Sequence, residues 1–417
     1  MQRRLVWGLY AGVLALAPLV FTSSHSQALL SQMGIGIIVC LSYNLLLGQG
    51  GMLSFGHAVY SGMGAFLAIH TLNLVSGGLA LPVSLIPLVG GLASLLLALL
   101  LGWVTTKKSG MPFAMITLGL GELVWAMALM FPGFFGGEAG VAGNRVAGSP
   151  VLGISFGPQI ELYYLIAAYT LVCTALMYAF TRTPLGRMLN AVRDNPERVA
   201  FIGYNPQVVR YLAFAIAAFF AGISGGLAAL NFEIVTSEVL SAYRSGLYLL
   251  FTFLGGTTLF FGPIIGAVLM VLALVLLSGF TQAWLLYLGL TFVVVVMVAP
   301  GGVAALLLAN LRLARQGHWR RLWPGYLVLL GTALLALAGA AALLEMVYQL
   351  QLGAVLGPEL RFMGITLNTR APASWLGALL VMLVGLGLFE LGRRKFARAW
   401  GEVQQAMAQN IKSRGQP

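Results

Sequence analysis

The sequence predicts an all-α polytopic membrane protein with about 10 core transmembrane helices, Gly-rich breaks and about two additional C-terminal spans. Of its 417 residues, 59% are hydrophobic and 8% are charged, whereas a soluble domain carries roughly a quarter charged residues. Apolar runs of about 17–25 residues, long enough to cross a bilayer as helices, recur along the chain. They lack the alternation of β-barrel strands, so their backbone must satisfy its hydrogen bonds within helices. A water-soluble fold is excluded.

The apolar runs place the spans one after another, with boundaries accurate to about four residues. Arg3 and Arg4 before the first run also fit a cleaved signal peptide. We interpret this run as an uncleaved span, because a polytopic chain can use its first helix as the signal. The predicted spans are 5–21, 28–47, 53–72, 80–104, 110–131, 161–181, 211–230, 245–260, 262–278, 284–299, 324–344 and 374–391.

Basic residues predict the orientation of these spans. When the spans are threaded alternately from a cytoplasmic N-terminus, only Arg145, Arg244, Arg361 and Arg370 of the 23 Lys and Arg residues fall on the outer side. The positive-inside rule assigns the richer side to the cytoplasm. Both termini are therefore predicted to be cytoplasmic, and topology rather than nucleic-acid binding explains the net charge of +12. The larger outer loops are suited to receive a soluble binding protein.

Two Gly-rich segments interrupt the apolar sequence. Residues 48–57, the first break, and residues 255–263, the second break, each contain a Gly pair, a nearby hydroxyl and a Phe-Gly step. Broken helices expose backbone N–H and C=O groups that can hold a polar solute near the bilayer midplane. Each segment equally fits a plain cytoplasmic turn between two spans. Both interpretations stay open at this point.

Polar side chains at membrane depth are the candidates for a solute pathway. Glu122 lies near the middle of span 110–131, where a carboxylate is costly unless it faces a polar cavity or a partner. An interhelical hydrogen bond or a protonated, packed carboxyl explains Glu122 equally well. His57, beside a turn, is more often a local hydrogen-bond partner than a ligand. The predicted pathway residues are Asn44, Gln49, Ser54, His57, Thr117, Glu122 and Thr257.

A long basic loop, residues 182–209, separates the spans 161–181 and 211–230. Thr183 and Pro184 suit a helix start, and Leu185, Met188, Leu189 and Val192 recur at helical spacing. These features predict a short amphipathic helix outside the membrane. Such a helix can seat in a groove of a partner protein or lie on anionic lipid.

This loop carries a resemblance to a known family. Residues 183–195 follow the pattern T-P-x-G-R-x-x-x-A-V-R-D-N, which resembles the coupling-helix segment of the LivM branch of branched-chain amino-acid ABC permeases. Further segments resemble the family in the same order, over about residues 30 to 303. They are 44–48, 54–58, 62–65, 113–119, 213–214, 221–227, 255–256, 261–263 and 299–302.

The resemblance implies a heteromeric, ATP-driven importer in the bacterial inner membrane. Its expected partners are a LivH-like second permease, two cytoplasmic ATP-binding subunits and a periplasmic solute-binding protein. ATP and Mg are expected on the ATP-binding subunits, since this chain has no G-x-x-x-x-G-K-[ST] phosphate loop. No cofactor or catalytic residue is expected in this chain. The resemblance assigns ATPase coupling to Pro184, Gly186, Arg187, Ala191, Arg193, Asp194 and Asn195.

The C-terminal part departs from the family pattern. The family commonly ends soon after the Ala-Pro-Gly-Gly segment at 299–302, whereas this chain adds about two spans. The predicted division is a permease core at 1–310, an additional transmembrane hairpin at 311–392 and a basic amphipathic cytoplasmic tail at 393–417. In the tail, Phe396, Trp400, Val403, Met407 and Ile411 recur at helical spacing. A frayed, solvated terminus is the alternative there.

Three functions are compatible with these features. The resemblance favours import of branched-chain or related hydrophobic amino acids. Family members of similar sequence also move urea, amides or small aromatic acids, and motifs alone do not determine pocket specificity. A different class, an ion-coupled secondary transporter, would use Glu122 and His57 to move protons. A membrane-bound enzyme is disfavoured, because no loop combines a nucleophile, a base and oxyanion donors at a recognisable spacing.

Overall fold

The computed structural model describes residues 2–146, 155–281, 283–299, 301–315, 319–352, 359–362 and 365–414. Side chains are not described for residues 2–4, 280, 298, 312–315, 319–322, 352, 359–362, 365, 399–400 and 402–414. Of the predicted tail positions, the side chains of Trp400, Val403, Met407 and Ile411 therefore lie outside the described residues. Contacts divide the chain into two compact units, Met1–Leu306 and Leu307–Pro417. The three-part division predicted from the sequence stays a prediction.

The first unit is helical almost throughout its described residues. Its elements are α1 Gln2–Val20, α2 Ser24–Asn44, α3 His57–Ser76, α4 Ile86–Thr105, α5 Met111–Met130, α6 Pro132–Phe135, β1 Val141–Ala142, α7 Gln159–Arg182, α8 Pro184–Asp194, α9 Pro196–Phe201, α10 Pro206–Phe232, β2 Ile234–Val235, α11 Ala242–Gly255, α12 Gly262–Leu272, α13 Ser278–Phe280 and α14 Trp284–Val298. The next helix, α15 Gly302–Arg315, contains Leu306 and crosses the division between the units. Strands β1 and β2 pair as a short antiparallel sheet. A π-helical segment, Leu45–Gln49, continues α2, and another, Ala273–Leu277, continues α12. Short 3-10 helices, Val83–Leu85 and Ser237–Leu240, precede α4 and α11.

The second unit contains a helical hairpin. Its helices are α16 Trp319–Leu352 and α17 Pro372–Arg414, and the antiparallel strands β3 Glu359–Phe362 and β4 Ile365–Asn368 lie between them in the chain. Both helices contain a segment long and apolar enough to span a membrane, Trp323–Gln351 and Pro372–Arg398. Gly339 and Gly385 lie where the two helices approach closely, as is usual for small residues at helix crossings in membranes.

The predicted all-α polytopic class is confirmed. In the described part of the chain, eight helices are long and apolar enough to cross a membrane, or nine if the bent pair Trp284–Met297 and Gly302–Leu311 forms one span. The predicted spans 5–21, 245–260, 262–278 and 284–299 are not among the eight. The helices at the last three are short, since α11 has 14 residues, α12 has 11 and α14 has 15. Two of these four spans flank the second break.

Three helices form the centre of the first unit. The apolar windows of Ser24–Gln49, His57–Ser76 and Pro206–Phe232 are 78%, 72% and 78% buried, whereas that of α5 is 28% buried. At the crossing of α3, α4 and α10, Ser94 Oγ donates to the Tyr60 carbonyl at 2.6 Å. Small residues let helix backbones approach in a bilayer, where no hydrophobic effect drives helices together. The centre of the bundle is therefore α2, α3 and α10, and α5 lies at its edge.

Candidate functional site

The predicted coupling helix is present as α8. Thr183 caps it by accepting a hydrogen bond from the Gly186 backbone N–H at 3.2 Å, and Pro184 occupies its first turn. Its apolar face turns towards the bundle, because Leu189 and Val192 are buried. The polar face is exposed to solvent instead. The apolar face of α8 is therefore not the surface offered to a partner. Of the predicted coupling residues, Pro184, Arg187, Arg193, Asp194 and Asn195 are exposed, Ala191 is half-buried and Gly186 is buried.

Hydrogen bonds join α8 to the start of the first break. The Asn190 side-chain amide donates to Gln49 Oε1 at 2.9 Å, and the Arg193 guanidinium donates to the Gly48 carbonyl. Arg193 also pairs with the exposed Asp194. Because α7 ends and α10 begins beside α8, the residues Gly48 to Gln49 lie at this end of the bundle. We call it the α8 end.

The first break then turns back into the bundle. The Tyr43 hydroxyl donates to the Ser54 carbonyl at 2.7 Å, and Thr117 Oγ1 accepts from the Phe55 N–H at 3.2 Å. The Nε2 atom of His57 lies 2.8 Å from Ser42 Oγ. Ser42 precedes Gln49 by two helical turns, or about 10 Å of helix rise. Helix α3 therefore begins inside the bundle, and the first break is both a turn at the α8 end and an irregular segment at depth.

Three predicted pathway residues have unpaired polar atoms at this place. Asn44 Oδ1, Ser54 Oγ and His57 Nδ1 are buried and have no hydrogen-bond partner in the described part of the chain. Buried polar atoms are normally paired with protein or water. These three are therefore available to a solute or to water entering the first break.

The second break lies beside the first. A Cβ on Gly48 would lie 2.5 Å from the Thr257 carbonyl oxygen, so the two segments are in direct backbone contact. The Thr257 side chain is half-buried, and its hydroxyl makes no hydrogen bond within the described residues. The structure thus brings together Asn44, Gln49 and the Thr257 backbone at the α8 end, with Ser54, His57 and Thr117 deeper in the bundle.

Glu122 lies apart from the other predicted pathway residues. Its side chain is exposed on α5, whereas Thr117 on the same helix is buried. A carboxylate at membrane depth is costly against lipid. The exposed face of α5 around Glu122 is therefore a surface that favours a protein or water neighbour over hydrocarbon.

A cavity that the sequence did not predict lies in the half of the bundle away from α8. Its volume is about 130 Å³, and its walls come from α2, α3, α10, α11 and α12 together with Ile234, Val235 and Val239. Most lining residues are apolar or small, such as Ile35, Val39, Met270 and Leu274. Ser61, Ser224, Tyr248, Gln32 and Arg244 supply its polar groups.

The cavity adjoins the first turn of α3. Ser61 lines the cavity and lies one turn after His57. The Ala58 N–H, next to His57, donates to Ser245 Oγ at 2.9 Å, which joins this turn to α11. The start of α3 therefore separates the cavity on one side from the first break on the other.

The chain is similar to known transport proteins. The family model described as "Branched-chain amino acid transport system / permease component" matches residues 27–300. The high-affinity branched-chain amino acid transport system permease protein LivM of Salmonella typhimurium is 28% identical over 325 residues, which are 72% of this chain and 75% of that protein. LivM of Escherichia coli is 27% identical over 303 residues, which are 67% of this chain and 70% of that protein. No solved structure matches.

Proposed function

The chain belongs to the family of permease components of branched-chain amino acid transport systems, and from this premise we propose that it is the permease subunit of an ATP-driven importer. Its solutes are branched-chain or related hydrophobic amino acids, which it moves across the bacterial inner membrane. The complete importer contains a second permease, two cytoplasmic ATP-binding subunits that hold ATP and Mg, and a periplasmic solute-binding protein. Both termini of this chain face the cytoplasm.

The observation that carries this proposal is that α8 combines an exposed surface with two side-chain bonds to the first break. Arg187 and Asp194 are exposed, and the side chains of Asn190 and Arg193 are hydrogen-bonded to the first break. A displacement of α8 by a partner would therefore move the first break directly. The first break leads into α3, and α3 lines the cavity. The displacement of α8 would therefore be transmitted through the first break and α3 to the cavity.

Exposed apolar residues beside α8 favour a protein partner at this end. Phe201 is 90% exposed, and Ile202 and Tyr204, which follow α9, are 60% and 52% exposed. Exposed apolar clusters rimmed by polar residues are typical of protein interfaces. Here the rim is polar, because Arg187, Asp194 and Arg198 are exposed nearby in the chain. We assign this surface to an ATP-binding subunit.

Alternating access describes the transport step. A permease of this kind has two states that open the solute site to opposite sides, and a ligand shifts such an equilibrium only by binding one state more tightly. ATP-driven closure of the two ATP-binding subunits would favour one position of α8. The chain itself forms and breaks no covalent bond of the solute.

Uptake by reconstituted complex tests the proposal. We would measure uptake of labelled leucine, urea and benzoate into proteoliposomes that contain this chain with its co-purifying partners, with and without internal ATP. Leucine uptake that requires ATP and the binding protein is the expected result. Preferred uptake of urea or benzoate would contradict the solute class. Uptake of any solute by this chain alone under an ion gradient would contradict the importer and indicate a secondary transporter.

A matched pair of variants tests the partner surface. Phe201→Ser removes the most exposed apolar side chain beside α8, and we expect leucine uptake to fall at least about tenfold, as for a central interface residue. Val146→Ser, in the loop at the opposite end and 52% exposed, is the control and should leave uptake unchanged. Retention of the ATP-binding subunits by Phe201→Ser during purification, with normal uptake, would show that this surface does not dock them.

A further inference from the structure

The cavity contains one charged side chain among the residues that line it. Arg244 lies in the first turn of α11. Its Nε atom is buried and has no hydrogen-bond partner in the described part of the chain. The residue as a whole is half-buried, and its guanidinium lines a mostly apolar space. A buried N–H donor is normally paired with an acceptor, so this one is unusual.

The hydrogen-bonding groups of the Arg244 guanidinium indicate which kind of ligand it can bind. An arginine side chain has five N–H donors, no acceptor, and keeps its proton under all conditions relevant to proteins. Its planar fork matches the two oxygens of a carboxylate in a bidentate, charge-assisted pair. The unpaired donor therefore has room for an acceptor, and a carboxylate matches both its charge and its geometry.

Two hydroxyl groups in the cavity wall provide hydrogen-bond acceptors. Ser61 Oγ donates to the Ala58 carbonyl at 3.1 Å and lies 3.5 Å from the Tyr248 hydroxyl. Ser224 Oγ donates to the Ile35 carbonyl at 3.0 Å. Both residues line the cavity. Since their protons are directed to helix carbonyls, their remaining lone pairs are acceptors. An ammonium group, which has only donors, can bind to such oxygens.

The remaining wall is apolar. Ile35 and Val39 of α2 face the cavity together with Met270 and the nearby Leu274. Aliphatic surface of this kind gains free energy by removing an aliphatic side chain from water. The cavity therefore combines a cation, hydroxyl acceptors and an aliphatic wall, which correspond to the carboxylate, ammonium and side chain of an aliphatic amino acid.

We propose that this cavity binds a zwitterionic aliphatic α-amino acid, with its carboxylate on Arg244, its ammonium group towards Ser61 and Ser224, and its side chain against α2 and α12. The assignment rests on the proposed function and names the solute site within it. Arg244 is then the residue that distinguishes an amino acid from its amide, which lacks the negative charge of the carboxylate.

Equilibrium binding tests the site without involving the solute-binding protein. Labelled leucine is bound to the purified permease complex in detergent, and leucinamide and 4-methylpentanoate compete for it. Leucinamide lacks the carboxylate, and 4-methylpentanoate lacks the ammonium group. Loss of a charge-assisted pair corresponds to about 10- to 100-fold in affinity. We therefore expect leucinamide to bind at least about tenfold more weakly than leucine to the wild-type complex.

Variants of Arg244 test whether this residue causes the preference for leucine over leucinamide. Arg244→Gln should weaken leucine binding about 10- to 100-fold and leave leucinamide binding within about threefold of wild type. Arg244→Lys, which keeps the charge but not the fork, should give an intermediate value. Glu238 is an exposed residue of the 3-10 helix before α11 and does not line the cavity. Glu238→Gln is therefore the control and should bind leucine as the wild type does.

The outcomes separate this assignment from the proposed function. Equal binding of leucine and leucinamide by the wild-type complex overturns the assignment without any variant, as does unchanged leucine affinity in Arg244→Gln. Absence of leucine binding to a wild-type complex that takes up leucine with ATP also overturns it, but leaves the importer intact. Absence of ATP-dependent leucine uptake by the wild-type complex overturns the proposed function itself.

Discussion

The two Gly-rich breaks look alike in the sequence but are built differently. In the first break, side-chain contacts add to close backbone packing at Gly48 and Gly56: Gln49 binds Asn190, and Thr117 accepts from the Phe55 backbone. In the second break, close backbone packing predominates. Gly256 has a φ of 111°, and its α-carbon packs against Gly301 and Gly302. The resemblance between the two segments is a resemblance of composition.

This difference indicates where motion can enter the bundle. A backbone turn packed against another backbone segment has few ways to rearrange without losing contacts, since packed interiors deform poorly. Polar side-chain contacts can exchange one partner for another. The first break also contains the unpaired buried atoms of Asn44, Ser54 and His57. We therefore expect the first break to change during transport and the second break to act as a fixed support.

The largest effect is expected in the second break, from Gly256→Ala. Its positive φ costs a residue with a side chain roughly 1–3 kcal/mol. In addition, a Cβ would lie 2.3 Å from the Gly301 carbonyl oxygen, so the backbone must shift. The variant should lose most of its monodisperse, detergent-soluble protein at temperatures that the wild type survives, as measured by size-exclusion chromatography after heating.

A glycine within α11, the helix that ends just before Gly256, is the control for this effect. Gly246 lies in α11 with open space where a Cβ would be, and alanine is favoured over glycine within a helix by roughly 0.5–1 kcal/mol. Gly246→Ala should therefore survive heating at least as well as the wild type. If Gly256→Ala survives equally well, the second break is not a tightly packed support.

A smaller effect is expected in the first break, from Thr117→Val. The hydroxyl of Thr117 donates to the Ala114 carbonyl at 2.9 Å and accepts from the Phe55 N–H. Valine keeps the shape but leaves this N–H without its acceptor, which costs about 1–3 kcal/mol. The free energy of unfolding in mixed micelles should fall by this amount. An unchanged value would mean that water replaces the hydroxyl, and that side-chain contacts do not hold the first break.

Hydropathy was sufficient to predict the helices but not the sides they bury. The apolar run of α5 is evident in the sequence, yet only the packing shows that Thr117 is buried and Glu122 is exposed. Periodicity predicted an amphipathic α8 correctly, but could not tell whether its apolar face meets a partner or the bundle. That choice depends on neighbours distant in the chain, such as Gln49 for Asn190.

The cavity was missed because its walls come from five helices and a loop, which no local pattern brings together. One signal did point to it. Arg244 is among the few basic residues on the predicted outer side, against the general bias of the chain. Another of these residues, Arg145, donates to the Gly157 carbonyl at 3.1 Å and so stabilises the outer loop. Basic residues that depart from the positive-inside bias are therefore candidates for a binding or structural role.

The smallest effect is expected from Thr257→Val in the second break. The substitution replaces the same hydroxyl by a methyl group as in Thr117→Val. The Thr257 side chain, however, is half-buried, and its hydroxyl makes no hydrogen bond within the described residues. The free energy of unfolding should therefore stay within about 0.5 kcal/mol of the wild-type value. A loss as large as that of Thr117→Val would show that side chains support both breaks, and the distinction between them would fail.

Because Thr257→Val should leave stability unchanged, it also gives a direct test of the solute pathway. Thr257 was predicted to lie on that pathway, together with Asn44, Gln49 and Ser54. A change in the KM for leucine uptake with unchanged stability would place its hydroxyl on the pathway, since no effect on folding would be available to explain it. An unchanged KM would limit the polar part of the pathway to the first break and the cavity, where buried polar atoms without partners are found.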